Sequence, residues 1–134
     1  MIVVDTNVLT YLSVAGEKTA VAQQAYQQDP FWVAPALWQH ELLNVLATHV
    51  RRGILTPADG LTVWRSCESL MNGRSYDIDP EAALLLAIQE AITAYDAQFV
   101  LLAQTLGCPL VTEDGQLVQK FPGLALTLKD FLTI

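Results

Sequence analysis

Positive charge is scarce in this chain. Lys and Arg number 7 against 14 Asp and Glu, for a net charge of −7. Phosphate binding draws on Lys and Arg, so such an acidic balance excludes broad electrostatic capture of nucleic acid, and any nucleic-acid chemistry has to rely on local groups. Cysteine is nearly absent. Cys67 and Cys108 stand alone and far apart, which excludes a CxxC redox pair and a zinc knuckle; they read as core thiols rather than a disulfide. No apolar run approaches the ~20 residues of a membrane span, although 52% of the residues are hydrophobic. Met1 leads straight into an apolar stretch, with neither the basic region nor the cleavage site of a signal peptide, so the expected location is cytoplasmic. Repeats, low-complexity tracts and linkers are also missing. The expectation is one domain over residues 1–134, long enough to bury about two thirds of the surface its unfolded form exposes.

What is present begins with Ile2-Val3-Val4, an apolar run that stops on Asp5. A short β-rich run ending on an acid suits the first strand of an α/β sheet, where ligands gather beyond the carboxyl ends of the strands. Thr6 to Leu12 and Lys18 to Gln28 then read as helices, the second stopped by Asp29-Pro30. Phe31 to Ala34 reads as a strand, and Pro35 opens a long helix over Ala36 to Arg52, closed by Gly53. Leu42, Leu43, Leu46 and Val50 form its expected buried face. Glu41, Asn44, Thr48 and Arg52 form a separate polar stripe, with Glu41 and Arg52 roughly 16 Å apart along one groove. Thr56-Pro57-Ala58-Asp59 has the cap, proline and acid of a helix start, with Leu61, Trp64, Cys67 and Met71 as the core stripe behind it.

A strand over Tyr76 to Ile78, helices over Asp79 to Glu90 and Thr93 to Leu106, and a strand over Cys108 to Val111 follow. That last strand stops at Thr112-Glu113-Asp114-Gly115, repeating the layout at Asp5. Gln116 to Phe121 reads as a short helix, and Leu124 to Leu128 as a final strand with an ambiguous tail. Strands alternating with helices predict a parallel sheet covered on both faces.

Each acid has an ordinary use when taken alone. Asp5 and Asp114 suit helix caps or turns, Asp96 closes a capping-box pattern with Thr93, and Glu41 suits a solvated helix face. Their joint placement says more. Two end strands, one opens a helix and one lies on a polar stripe, so a parallel sheet can bring all four to one end. Clustered carboxylates raise one another's pKa and hold their charge best beside divalent cations, and hard oxygen donors favour Mg²⁺ or Mn²⁺ over zinc.

At these residues the chain resembles the PIN domain family of metal-dependent nucleases, in particular the VapC-type toxins of toxin-antitoxin pairs. The likeness rests on Val3 to Leu9, Glu41 to Leu46, Tyr95-Asp96-Ala97 with Leu102-Ala103, and Leu110 to Asp114, in that order along essentially the whole chain. The resemblance implies a three-layer α/β/α sandwich around a central parallel sheet. It also implies Mg²⁺- or Mn²⁺-dependent hydrolysis of RNA, a cognate antitoxin partner and a homodimer. Residue by residue, Asp5, Glu41, Asp96 and Asp114 map onto the family's catalytic, metal-holding quartet, and Asn7 and Thr112 onto its supporting polar residues.

Gly115 departs from the pattern, since many members carry a basic residue there. Arg51, Arg52 and Lys120 are left as the local candidates for phosphate contacts. His40 and His49 are not at a paired-ligand spacing and read as structural or surface residues; Trp32 and Trp38 read as core or dimer contacts rather than base-stacking platforms. Three alternatives stand beside the toxin reading. A dehalogenase-like phosphatase requires a second acid where this chain has Asn7. An RNA-processing or DNA-directed nuclease uses the same acids. A catalytically silent binding module keeps the fold without turnover.

Overall fold

The computed structural model describes all residues from Met1 to Ile134. Strands β1 (Ile2–Val4), β2 (Trp32–Pro35), β3 (Ser75–Tyr76), β4 (Leu110–Val111) and β5 (Ala125–Leu126) form one sheet in the order β3-β2-β1-β4-β5. Every pairing is parallel. The helices are α1 (Thr6–Ser13), α2 (Thr19–Gln28), α3 (Trp38–Arg51), α4 (Pro57–Leu70), α5 (Pro80–Glu90), α6 (Ala94–Leu106), α7 (Gly115–Lys120) and α8 (Leu128–Leu132).

Handedness decides where the helices go. Steps from β1 to β2 and β2 to β3 run one way across the sheet, and those from β3 to β4 and β4 to β5 run the other way. Right-handed crossovers therefore put α1 to α4 on one face and α5 to α7 on the opposite face. The packing agrees: α1 meets α2, α3 and α4, while α5 packs on α6, which covers β1, β2 and β4. The result is the three-layer sandwich expected from the sequence. Its core is the sheet itself, since Val3, Val33, Leu110 and Val111 are completely buried and Ile2, Val4 and Ala34 nearly so.

Local chemistry sets the helix ends. Thr56 and Asp59 form a reciprocal capping box at α4. At α6, the Thr93 hydroxyl accepts the Asp96 N–H at 3.0 Å, and Gly107 closes the helix at φ 64°, a left-handed position suited to glycine.

Several expectations need correction. Leu43 is 48% exposed, because α3 buries Leu42 and Leu46 and the neighbouring position turns outward. Leu61 is likewise exposed. The α4 stripe runs instead through Gly60, Trp64, Cys67 and Met71, with Gly60 lying where an added Cβ would meet Val50 Cγ2 at 3.4 Å. The final strand is only Ala125–Leu126; Thr127 then caps α8 by accepting the Asp130 N–H at 3.1 Å. Trp32 and Trp38 are both core residues. Trp38 stacks on Trp64 with ring centroids 5.7 Å apart and donates to Ser75 Oγ at 2.6 Å. Neither ring offers a surface to a base. Both cysteines are free and buried.

Candidate active site

In the order β3-β2-β1-β4-β5, successive crossovers diverge between β1 and β4. A crevice opens beyond the carboxyl ends of strands at such a switch point. Asp5 and Asp114 follow those two strands directly. Val4 lies opposite Val111, which places Asp5 beside Thr112. The Asp5 N–H donates to the Val111 carbonyl at 3.2 Å, continuing the ladder, and Asp5 Oδ1 accepts the Val8 N–H at 2.9 Å to cap α1. Its Oδ2 accepts a short hydrogen bond from the Thr112 hydroxyl.

Thr112 is fully buried, and its hydroxyl oxygen also accepts the Asp114 N–H at 3.1 Å. Asp114 Oδ1 in turn accepts the Gln116 N–H at 2.9 Å and caps α7. Capping and clustering are thus compatible: each aspartate caps its helix with one oxygen while the carboxylate still borders the crevice.

Glu41 arrives from the first turn of α3, and its Oε1 accepts the Thr6 hydroxyl at 2.6 Å. Asp96 lies in the first turn of α6. All four acids line a single cleft of about 260 Å³. Thr6, Asn7 and Asn44 add polar wall, and Val45, Phe99 and Leu117 the apolar part.

The electrostatics follow from that crowding. Burial pushes the Asp5 carboxyl up to about 6, against the opposing donors Thr112 and Val8, with Glu41 and Glu113 adding repulsion. Burial also raises Glu41, opposed by the Thr6 hydroxyl and helped by Asp96. Asp96 is raised by burial and then by Asp114, with the Thr93 hydroxyl working in the other direction. Repulsion therefore passes from Asp5 to Glu41, from Glu41 to Asp96 and from Asp96 to Asp114. A site that holds protons this tightly has an unmet demand for positive charge.

The all-oxygen donor set fits a hard divalent cation. As positioned, however, no three Asp, Glu, His or Cys side chains stand close enough together to enclose one. The acids face one another across an open cleft, and loading it requires side-chain movement.

The basic candidates are not brought to these acids. Lys120 directs its ammonium to the carbonyls of Glu90 at 2.6 Å and Ala91 at 3.4 Å, closing the end of α5. Arg51 donates to Thr48 Oγ1 at 3.2 Å, and neither it nor Arg52 lines the cleft. His40 is exposed and also lies outside the cleft wall.

Three contributors escaped the sequence reading. Thr6 holds Glu41, Asn44 lines the cleft one turn after Glu41, and Glu113 ties neighbouring segments together. Glu113 Oε1 accepts the Leu128 N–H at 2.8 Å, and its Oε2 pairs with Lys18 at 2.9 Å. The polar stripe was the available signal for Asn44. Nothing local marked Thr6, whose partner is 35 residues away.

Comparison with known proteins supplies the lineage. The PIN domain family model matches residues 2–121, most of the chain. The chain belongs to the PIN domain family. This PIN domain is 33% identical over 127 residues to Ribonuclease VapC3 of Pyrobaculum aerophilum, spanning 92% of this chain and 96% of that protein. A crystal structure of PAE2754 from Pyrobaculum aerophilum superposes on it with a TM-score of 0.78. That match has 22% identity and covers 98% of this chain and 86% of the other, a likeness of fold.

Proposed function

We propose that this PIN domain, acting as one unit over residues 1–134, is a divalent-metal-dependent endoribonuclease and the toxin of a toxin-antitoxin pair. The observation that carries the reading is the meeting of Asp5, Glu41, Asp96 and Asp114 at the switch point of the sheet. Its likeness to a protein named Ribonuclease VapC3 selects RNA as the substrate.

In this reading Asp5, Asp96 and Asp114 hold Mg²⁺ or Mn²⁺, and Glu41 completes the site directly or through water. A bound divalent ion supplies positive charge against the phosphate and lowers the pKa of water. The chain's own part is positional. Thr112 fixes the Asp5 carboxylate and the turn bearing Asp114, and Thr6 fixes Glu41 Oε1, leaving Oε2 without a protein donor. Asn7, at the cleft wall, orients substrate or water. Water attacks phosphorus in line as the P–O3′ bond breaks, leaving a 5′-phosphate and a 3′-hydroxyl.

The test is cleavage of several RNA and DNA classes by purified protein under metal titration. RNA should be cut in Mg²⁺ or Mn²⁺, chelation should stop it, and Asp5→Asn should reduce the rate at least 100-fold while the fold survives. Parental activity in Asp5→Asn, or products ending in a 2′,3′-cyclic phosphate, rejects the mechanism. Preferential cleavage of DNA moves the protein to a different nuclease role.

The open arrangement of the acids favours the alternative of a silent PIN-like binding module, and metal-dependent turnover rules that module out. No single helix is long and apolar enough to cross a membrane, and the proposed setting is the cytoplasm. The partners are RNA, a cognate antitoxin and a second copy of the chain. Leu84, Leu85 and Ile88 are 55–70% exposed on α5 and supply an apolar face for the homodimer.

A further inference from the structure

A second cavity, of about 500 Å³, opens between α1, the turn after it and α3. Asn7 and Val45 line both this groove and the acidic cleft, so the two form one continuous surface. The groove's chemistry differs from that of the cleft. Tyr11, His49 and Ile54 give it ring and aliphatic surface, and Lys18 lies 5.1 Å from the centre of the Tyr11 ring. Its size is in the usual range for a small-molecule site and exceeds what one nucleobase requires.

Positive charge gathers at the far end. Arg51 and Arg52 fall between His49 and Ile54, two of the lining residues. Both are exposed, and neither forms an ion pair; the only ion pairs in the molecule are Met1 with Asp29 and Lys18 with Glu113. A polyanion entering an acidic cleft needs cations at its margin, and these arginines stand on that approach. An apolar protein segment would have no use for the same pair.

His49 also carries directional information. Its Nδ1 lies 2.8 Å from the Val45 carbonyl, which can only accept, so Nδ1 holds the proton. In the neutral ring Nε2 is left as an acceptor. Adenine, cytosine and guanine offer it an exocyclic amino group, which uracil lacks.

We infer that the groove lined by Tyr11, His49 and Ile54 is a nucleobase subsite that seats the base beside the scissile phosphate and prefers an amino-bearing base. The inference rests on the ribonuclease reading of the adjoining cleft. His49 is a specificity residue here, touching the base rather than the reacting phosphate.

Two variants test it, His49→Ala, which deletes the acceptor, and Ala15→Trp, which fills the groove from an exposed lining position. Melting curves confirm that both fold. Cleavage of a randomised single-stranded RNA by the parent and each variant reads base frequencies beside the cut. Binding of short oligoadenylate and oligouridylate to Asp5→Asn protein, with and without each groove change, reads the subsite without turnover.

The parental chain should select an amino-bearing base at one position beside the cut. Each variant should flatten that selection and weaken oligoadenylate binding about tenfold, in the range expected for loss of one seated base. Unchanged base frequencies and unchanged oligonucleotide binding in both variants overturn the inference and leave the ribonuclease intact. Loss of a co-expressed antitoxin with RNA selection unaltered also overturns it, assigning the groove to a protein. A parental chain that cuts no RNA removes the enzyme reading, whereas groove-dependent oligoadenylate binding in the Asp5→Asn background still supports the subsite.

Discussion

The Thr112 hydroxyl donates to Asp5 and accepts from the Asp114 backbone, so one buried oxygen sets the relation between two acids from adjacent strand ends. Thr112→Val keeps the shape and removes both contacts. It should cost about 1–3 kcal/mol in a urea titration, since a buried carboxylate loses a donor, and cleavage should fall at least tenfold. Asp5 itself predicts a pH effect. Its native carboxyl titrates near 6 rather than 3.8, so folding retains this proton and the benefit is complete below about 3.8. The benefit is lost as pH rises through 6. By pH 8 the metal-free protein carries a penalty on the order of 3 kcal/mol, which Asp5→Asn removes. Unfolding in chelator should therefore show Asp5→Asn more stable than the parent at pH 8, with the gap closing towards pH 4. A gap that widens on acidification contradicts the assignment. Asp5 and Asp114 were legible in the sequence because each interrupts an apolar run. The use of Thr6 was not, because a hydroxyl in a first helical turn becomes a ligand for Glu41 only once α1 and α3 lie together.

At the scale of elements, α4 shows how a small residue sets a packing stripe. Gly60 is buried in the helix, and an added methyl would meet Val50 Cγ2 at 3.4 Å, near ordinary contact. Gly60→Ala should raise stability by about 0.5–1 kcal/mol, because the unfolded chain loses freedom while the helix keeps its geometry. A lowered thermal midpoint would mean that Val50 cannot yield. This register also explains why a pattern based on bulk chose Leu61: the helix places its smallest residue where the next helix comes closest. The C-terminal tail was misread for a related reason. Leu124 to Leu128 is apolar enough for a strand, but the Thr127 cap ends it early and starts α8. Helices with a hydroxyl or aspartate cap and a glycine stop were legible nearly to the residue, since those signals act within one turn. The two-residue strands were blurred, because pairing partners rather than local pattern set their ends.

For the molecule as a whole, charge and apolar surface point in different directions. The acids gather in one cleft, and Leu84, Leu85 and Ile88 remain uncovered on α5. Combining Leu85→Glu with Ile88→Glu should convert the proposed homodimer to a monomer in sedimentation, with the circular dichroism unchanged. A parental chain already monomeric at high micromolar concentration removes the dimer. The fold class was readable because alternating elements and parallel sheets imply each other. The divergence of crossovers around β1 was not, since strand order leaves no mark on local pattern.

That strand order also has a consequence in time. β1 emerges first during synthesis yet occupies the middle of the sheet, and the Thr112 that secures Asp5 lies 107 residues later. Until the β4 segment has left the ribosome, the first strand has a partner on one edge at most, and half the cleft does not exist. A growing or prematurely ended chain therefore carries Asp5 without Asp114. For a protein whose finished form would cut RNA beside the machinery that makes it, unfinished copies are harmless by construction.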